Sequence, residues 1–396
     1  LGRVEVVVVD DDRSAVYDAR ELGVLPDAPG DQSASLQAAL NEVARSGRAV
    51  VTMAPGDYEI SSVSLPPGTT LSAAGVRWHR PAFSAATTVS LRLEQQGSAS
   101  ALPSLVEGLT VDGRREQQGA YRDSEQQDAH LVVLEGDAAE GGLSRASLER
   151  VHLLSGTGSG LYIGPNAEAT VCDLSANELW RDALQLNGGA TKLRLRGLNA
   201  TASQGTGLWI GAHVPGYQDS YHIDVEAEDV QIGAGDVEIE TTDASRVEVR
   251  RLTMTQPPFR LDVPGGSVRI EDSVLVVGVP SRLHNHWGSI HDVEVARSTI
   301  IASETTVEAE SEEAREFSAI SVSSQSFAFG PSTPGSGRLA LQDCRFELAG
   351  DVEAGDKVYA VDNADVDAAI VATASKLGAG FVDWFAPACA GCVNAP

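Results

Sequence analysis

Carboxylates crowd into one short part of this sequence. The acidic residues of "DVEIETTD" and "RLDVPGG" are Asp236, Glu238, Glu240, Asp243 and Asp262. Arg260 is the one basic residue among them. Uncompensated carboxylates raise each other's pKa values, as an acid and base pair requires. We therefore predict that Glu238, Glu240 and Asp262 are catalytic and need no cofactor, with Ca²⁺ binding as the alternative use of the same carboxylates.

A second set of residues has the character of a sugar-binding surface. The phrases "GLYIGPN", "ALQLNGG" and "GLWIGAH" each place one aromatic or amide side chain between apolar residues, with glycine close behind. Aromatic faces with small neighbours suit stacking on a sugar ring. The loop 211–222 is longer than its counterparts and lies beside this surface, and loops on a rigid scaffold often carry binding. The predicted substrate-binding residues are Tyr162, Gln185, Asn187, Trp209, His213 and Arg260.

These phrases recur along the chain. Their first apolar positions are Leu161, Leu184, Leu208, Val237 and Leu261, which lie 23, 24, 29 and 24 residues apart. Short alternating strands that repeat at such intervals are typical of a β-solenoid, in which stacked coils share one core. We predict one elongated all-β domain, a single-stranded parallel β-helix of about ten to twelve coils.

The repeat also predicts which side chains meet. Apolar residues in each strand point inward, so the residues between them point outward and stack into columns from coil to coil. Aligning Leu261 with Val237 predicts a column of Tyr162, Gln185, Trp209, Glu238 and Asp262. Glu238 then lies about 4.8 Å from Asp262 and about 6.7 Å from Glu240 at Cα. These separations span those of retaining and inverting glycosidases.

The amino-terminal part predicts a cap for the open end of the solenoid. "SASLQAALNEVARSG" indicates an amphipathic helix over residues 34–46, with Ser33 as its N-cap and Leu36, Leu40 and Val43 on its buried face. Such a helix covers an exposed sheet edge. We divide the chain into a capping region at 1–75, coils at 76–388 and a tail at 389–396.

This cap carries a family resemblance. The run "DQSASLQAALNEVARSGRAVVTMAPGDYEI", followed by "SLPPGTTLSAAG", resembles the cap of the pectin-lyase-like superfamily, which includes polysaccharide lyases, hydrolases, epimerases and phage tailspikes. The resemblance implies a right-handed parallel β-helix that acts on polysaccharide. The sequence has no paired Asp-Asp followed by Gly-His-Gly, as polygalacturonases have, and no Asp-Pro-His, as mannuronan epimerases have.

Composition restricts the partners. The chain holds 29 Lys and Arg against 56 Asp and Glu, a formal net charge of −27, which repels nucleic acid and anionic membranes. The sequence contains no run of 18 apolar residues, so we predict no membrane insertion. The chain begins at Leu1 and has no methionine before Met53, so we expect a processed chain at a secreted or cell-surface location.

Two functions fit these observations. The first is a secreted protein that cleaves or modifies an extracellular polysaccharide, with a glycoside hydrolase that uses paired carboxylates favoured over a lyase. The alternative is a non-catalytic structural, adhesive or filament-forming β-helix protein at the cell surface, working as a homo-oligomer. Acidic residues ordered in a cleft would favour the enzyme, and a large surface between subunits would favour the alternative.

Overall fold

The computed structural model describes most of the chain. The described residues are 15–45, 49–82, 91–93, 103–119, 129–136, 142–189, 191–211, 222–242, 245–278, 287–303, 316–322, 325–326, 330–331, 337–349, 357–363, 369–379, 381–385 and 392–395.

Strands dominate these residues. They include one α-helix, α1 (Ser33–Ala44), and a short 3₁₀ turn at Arg115–Gln117. The first strands are β1 (Ala15–Asp18), β2 (Ala49–Thr52), β3 (Gly56–Glu59), β4 (Val63–Leu65), β5 (Thr69–His79), β6 (Leu91–Leu93), β7 (Ser104–Asp112), β8 (Val132–Leu134), β9 (Ser144–Glu149), β10 (His152–Leu154), β11 (Leu161–Ile163) and β12 (Ala167–Leu179). They are followed by β13 (Leu184–Asn187), β14 (Thr191–Ser203), β15 (Leu208–Gly211), β16 (Ile223–Ile232), β17 (Val237–Glu240), β18 (Arg246–Met254), β19 (Phe259–Val263), β20 (Ser267–Glu271), β21 (Val274–Gly278), β22 (Trp287–Ile290), β23 (Asp292–Ala296) and β24 (Thr299–Ser303). The last are β25 (Glu316–Val322), β26 (Gln325–Ser326), β27 (Gly330–Pro331), β28 (Arg338–Gln342), β29 (Arg345–Ala349), β30 (Lys357–Asn363), β31 (Ala369–Thr373), β32 (Lys376–Leu377), β33 (Phe381–Phe385) and β34 (Cys392–Ala395).

Two parallel sheets form the solenoid. One contains twelve strands, in the spatial order β4, β6, β8, β11, β13, β15, β17, β19, β22, β25, β30 and β33. We call it the site sheet. The other contains twenty strands and is called the long sheet. Each coil gives the site sheet one strand, so the predicted right-handed parallel β-helix with an amino-terminal capping helix is confirmed, with twelve strands along the site sheet.

The core runs along the axis between the sheets. All ten residues predicted to point inward are buried: Leu161, Ile163, Leu184, Leu186, Leu208, Ile210, Val237, Ile239, Leu261 and Val263. Phe259 is buried beside them. This continuous apolar column keeps the outward residues of each strand on the outer face, because a one-residue slip would expose the whole apolar set.

The long sheet bends once in each coil. In β12 the bend lies at Asp173, whose φ is 56°, and Val171 and Leu174 on either side are both buried although they are three residues apart. A left-handed residue resets the in-and-out alternation of a strand, and aspartate tolerates that conformation better than most residues. Asp229 and Arg251 have the same conformation in β16 and β18.

The helix α1 closes the amino-terminal end. Leu36, Leu40 and Val43 are fully buried, as predicted. The prediction of Ser33 as N-cap is wrong by one position, because the helix begins at Ser33 and its cap is Gln32. The Ser33 hydroxyl instead donates to Asp31 Oδ1 at 2.5 Å and joins the helix to the loop after β3. No helix among the described residues is long and apolar enough to cross a membrane.

Candidate functional site

The outward residues of the site sheet form two neighbouring columns. The first contains Tyr162, Gln185, Trp209, Glu238 and Arg260 on β11, β13, β15, β17 and β19. The second contains Asn187, Gly211, Glu240 and Asp262. Eight of the nine predicted site residues therefore lie together on one face. The ninth, His213, lies outside the described residues, as does Asp243.

The predicted pairing of the acidic residues needs a correction. The repeat predicts that Asp262 lies beside Glu238. In the structure Asp262 lies beside Glu240 and Arg260 lies beside Glu238, so the register of β19 differs from the prediction by two residues. The cause is Phe259, which packs in the core opposite Val237 and starts β19 two residues earlier than expected. The acid pair on adjacent coils is thus Glu240 and Asp262.

This pair is almost fully buried although it faces outward. The exposed fraction is 6% for Glu240 and 1% for Asp262. Burial raises the pKa of Glu240 to about 8, and the negative charges of Glu238 and Asp262 add to the effect. Burial is the larger cause because a charged carboxyl loses its hydration there. Glu240 is therefore mostly protonated at neutral pH.

Arg260 neutralises the other side of the cluster. Its guanidinium is 3.3 Å from Asp236 Oδ2 and 4.0 Å from Glu238 Oε2. Burial raises the pKa of Asp236, with Glu238 and Asp182 contributing in the same direction, and Arg260 opposes that rise. The predicted grouping of one arginine with several acids is present, but the arginine pairs with the half-exposed members and not with Glu240.

The two aromatic residues lie flat on the sheet. A Cβ atom placed on Gly211 would be 2.7 Å from Trp209 Nε1 and 3.0 Å from Cε2. A Cβ atom on Gly164 would be 3.0 Å from Tyr162 Cε1. Each glycine thus makes the room that the neighbouring ring occupies, and Tyr162 and Trp209 are half-buried instead of standing free as predicted. They lie two coils apart, about 9.6 Å.

A buried polar network lies at the other end of the same face. The His130 ring stacks on Tyr162, with centroids 4.6 Å apart and planes 12° apart. Ser159 donates its backbone N–H to His130 Nδ1 at 3.3 Å and its hydroxyl to Gln185 Oε1 at 2.9 Å. Asp182 accepts from the Ser159 hydroxyl at 3.3 Å and from the Thr206 backbone N–H at 3.0 Å.

Charge and burial set the protonation of this network. Burial lowers the pKa of His130 to about 3, and Arg181, Arg80 and Arg92 add to the effect, so the imidazole is neutral. Burial raises the pKa of Asp182. Sequence reasoning missed the network. A signal exists, since the residue two positions before each strand is polar in four successive coils: His130, Ser159, Asp182 and Thr206.

The carboxylates do not form a recognisable metal site in the described part of the chain. There, no group of three or more His, Cys, Asp or Glu side chains has a metal-binding arrangement. Binding of Ca²⁺ by residues that include Glu240 and Asp262 stays a prediction.

Comparison with known proteins bears on the fold. No family model matches the chain, and no curated protein sequence matches it. Among solved structures, the A-module of the mannuronan C-5 epimerase AlgE4 of Azotobacter vinelandii is similar with a TM-score of 0.54 and 14% identity, covering 96% of this chain and 100% of the module. The A-module of AlgE6 from the same organism gives 0.53 and 15%, covering 96% and 99%. The resemblance to β-helix proteins is thereby confirmed at the level of the fold.

Proposed function

We propose that this protein binds an extracellular polysaccharide along the site sheet and cleaves it by acid-assisted glycoside hydrolysis. The observation that carries the proposal is the pairing of Glu240 with Asp262 on adjacent coils, where both are almost fully buried. The similar solved structures are named as mannuronan epimerase modules, so this fold is used on polysaccharide in those proteins. Secretion of the chain belongs to the same proposal.

Each carboxyl has a distinct role in this mechanism. Glu240 carries a proton at neutral pH and donates it to the glycosidic oxygen as that bond breaks. Asp262 attacks the anomeric carbon as that bond breaks and forms a glycosyl-enzyme intermediate. Water then attacks the same carbon, gives its proton to the Glu240 carboxylate and releases Asp262, so both groups return to their starting states. Glu238 keeps the Glu240 proton in place through its charge. Placement on adjacent coils, about 4.8 Å apart at Cα, favours the shorter carboxyl separation of a retaining enzyme.

The site sheet also offers a binding surface of suitable length. Tyr162 and Trp209 lie on the same face as the acid pair, with Gln185 between them. Two rings about 9.6 Å apart can contact sugars that are not adjacent in a chain. A polysaccharide lying along the column would pass from the aromatic residues to Glu238 and Glu240, which follow Trp209 on the next coil.

An activity screen tests this proposal. The protein is incubated with neutral and uronic polysaccharides, and products are followed by reducing ends for hydrolysis and by ultraviolet absorbance of unsaturated uronates for a lyase. We expect new reducing ends without that absorbance, and their loss in Asp262→Asn. Turnover of no polysaccharide would favour the structural or adhesive alternative. The melting temperature is also measured with and without a chelator to test for Ca²⁺ binding. A metal that binds only the folded state stabilises it, so its removal by the chelator would lower the melting temperature.

A further inference from the structure

Three buried polar atoms on neighbouring coils lack a hydrogen-bond partner. They are Asn187 Oδ1, Trp209 Nε1 and Glu240 Oε2. The described residues contain seven such buried side-chain atoms in all, so almost half of them lie in this one patch. Buried polar groups are normally paired, and an unpaired group in a native protein calls for a partner such as a ligand or ordered water. We call these three residues the hydroxyl patch.

The three residues lie on three adjacent strands of the site sheet. Asn187 pairs with Gly211, and Ile210 pairs with Ile239, so Gly211 has Asn187 on one side and Glu240 on the other. The Trp209 indole lies over Gly211, with Nε1 2.7 Å from the position of a Cβ atom there. The indole N–H therefore lies over the coil that separates Asn187 from Glu240.

Their chemistry differs and is complementary to one kind of group. The indole N–H only donates, the amide oxygen of Asn187 only accepts, and a protonated Glu240 carboxyl can do either. A sugar hydroxyl both donates and accepts, so hydroxyl groups can satisfy each of the three atoms. A carboxylate only accepts, and it leaves the Asn187 oxygen without a donor.

Charge points the same way. Glu238 shares β17 with Glu240, Asp262 lies beside it on β19, and both are acidic. Arg260, the cation of this group, is already paired with Asp236 and Glu238. An anionic sugar placed here would meet negative charge at short range with no free cation among these residues.

We propose that the hydroxyl patch binds a neutral sugar through its hydroxyl groups, so that the polysaccharide substrate is neutral at this position and not a uronate. This inference rests on the proposed function, because both take the site sheet as the face that binds the glycan. It separates this protein from the named substrate of its structural neighbours, since mannuronan is a polyuronate.

Calorimetric titration with defined oligosaccharides tests it. The probes are neutral hexasaccharides of glucose and mannose with different linkages, and hexasaccharides of galacturonate and mannuronate. We expect at least one neutral probe to bind and the uronates to bind at least about tenfold more weakly. Trp209→Phe keeps an aromatic ring and removes the N–H, so the dissociation constant of the neutral probe should rise about tenfold, as for one lost hydrogen bond. Asn187→Asp adds a negative charge in place of an amide and should weaken binding at least as much.

The chain offers a matched control. Trp78 Nε1 is also buried without a partner, but Trp78 lies in the core of the long sheet. Trp78→Phe should leave the dissociation constant unchanged, with folding of all variants checked by urea titration. A uronate that binds as tightly as the best neutral probe, or unchanged binding by Trp209→Phe, would overturn the inference. Neutral binding without turnover by the wild type would refute hydrolysis and leave this inference standing, whereas binding of no probe refutes both.

Discussion

Glu240 and Glu271 are two glutamates with similar burial and opposite surroundings. Glu240 is 6% exposed on the site sheet, and Glu271 is 8% exposed on the outward face of the long sheet. Three guanidinium groups surround Glu271, from Arg250 at 3.4 Å, Arg269 at 2.6 Å and Arg297 at 3.2 Å. At Glu240, instead, burial and the negative charges of Glu238 and Asp262 raise the pKa, and the smaller contribution of Arg260 lowers it. The same type of side chain is therefore surrounded by guanidinium groups at one place and by carboxylates at the other.

The difference separates a structural use of charge from a chemical one. Along the long sheet, acidic and basic residues face each other between coils, as in Arg194 with Glu226 at 3.0 Å and Arg269 with Glu294 at 3.5 Å. The chain pairs many of its acids with arginine, whereas the described residues form no ion pair with Glu240, and burial disfavours the charged form of that carboxyl. Groups whose pKa values are shifted by burial and like charge are concentrated at functional sites.

The largest expected effect is on turnover. Glu240→Gln keeps the size of the side chain and removes its acidic proton, so kcat/KM on the substrate found by screening should fall about 10²–10⁴-fold. Glu271→Gln is the matched control and should leave kcat/KM unchanged. We would measure kcat/KM of both variants by steady-state kinetics at pH values where both are folded. Equal losses in the two variants would mean that Glu240 has no special role.

The second effect is on the pH dependence of stability. The ordinary pKa of 4.5 applies to Glu240 in the unfolded chain, and the folded value is about 8. Between these values the folded state holds a proton that the unfolded state has lost, so stability falls as pH rises. The contribution is complete below the unfolded pKa and is lost once the pH has risen through the folded one.

Glu240→Gln removes this dependence. Relative to wild type, the free energy of unfolding of the variant should rise by a few kcal/mol between about pH 5 and about pH 8. Urea titrations at several pH values measure the difference in free energy of unfolding between variant and wild type. The titration of Asp182 and Asp236 occurs in both proteins and cancels in this difference. The groups that set the shift are Glu238, Asp262 and Arg260. A constant difference across this range would show that Glu240 is ionised like an ordinary glutamate.

The third effect has the opposite sign to the second. Glu271→Gln leaves three half-exposed arginines without their shared carboxylate and should lower the free energy of unfolding by about 1–3 kcal/mol at neutral pH. The value is below that for a fully buried pair because water reaches the guanidinium groups. Urea titration measures it, with Glu240→Gln as the contrasting variant. An unchanged midpoint would show that the three contacts add nothing in solution.

The sequence predicts the faces of the strands well and their register poorly. Alternation with a period of two determines that Glu240 and Asp262 point outward and that Ile239 and Leu261 point inward. A shift of two residues leaves every side chain on its face, so the apolar pattern alone cannot distinguish Glu238 from Glu240 as the neighbour of Asp262. Only the packing of Phe259 opposite Val237 decides the register.

Burial of the outward residues is the second quantity that sequence reasoning could not supply. A residue such as Gln185 reads as exposed because its position alternates with core residues, yet it is 5% exposed. Its burial depends on contacts with Ser159 from the neighbouring coil. Likewise, the sequence contains glycine two residues after Trp209, but it does not show that the indole ring lies over Gly211. That orientation depends on three-dimensional packing.

The smallest expected effect concerns the bend of the long sheet. Arg251 donates to both oxygens of Asp229, at 2.6 Å and 3.0 Å, and both residues have positive φ and are exposed. Exposed pairs contribute little and are screened by salt. Arg251→Gln should therefore lower the melting temperature slightly in dilute buffer, and the difference from wild type should vanish in molar salt. Calorimetry at both ionic strengths makes the measurement. Arg20→Gln is the control for position, because it removes an exposed pair to Asp18 that does not lie at a left-handed bend. A difference in melting temperature that persists in high salt would contradict a purely electrostatic role for Arg251. It would show that the Arg251 side chain helps to hold the left-handed bend of the long sheet. That role would differ from the charge balance at Glu271.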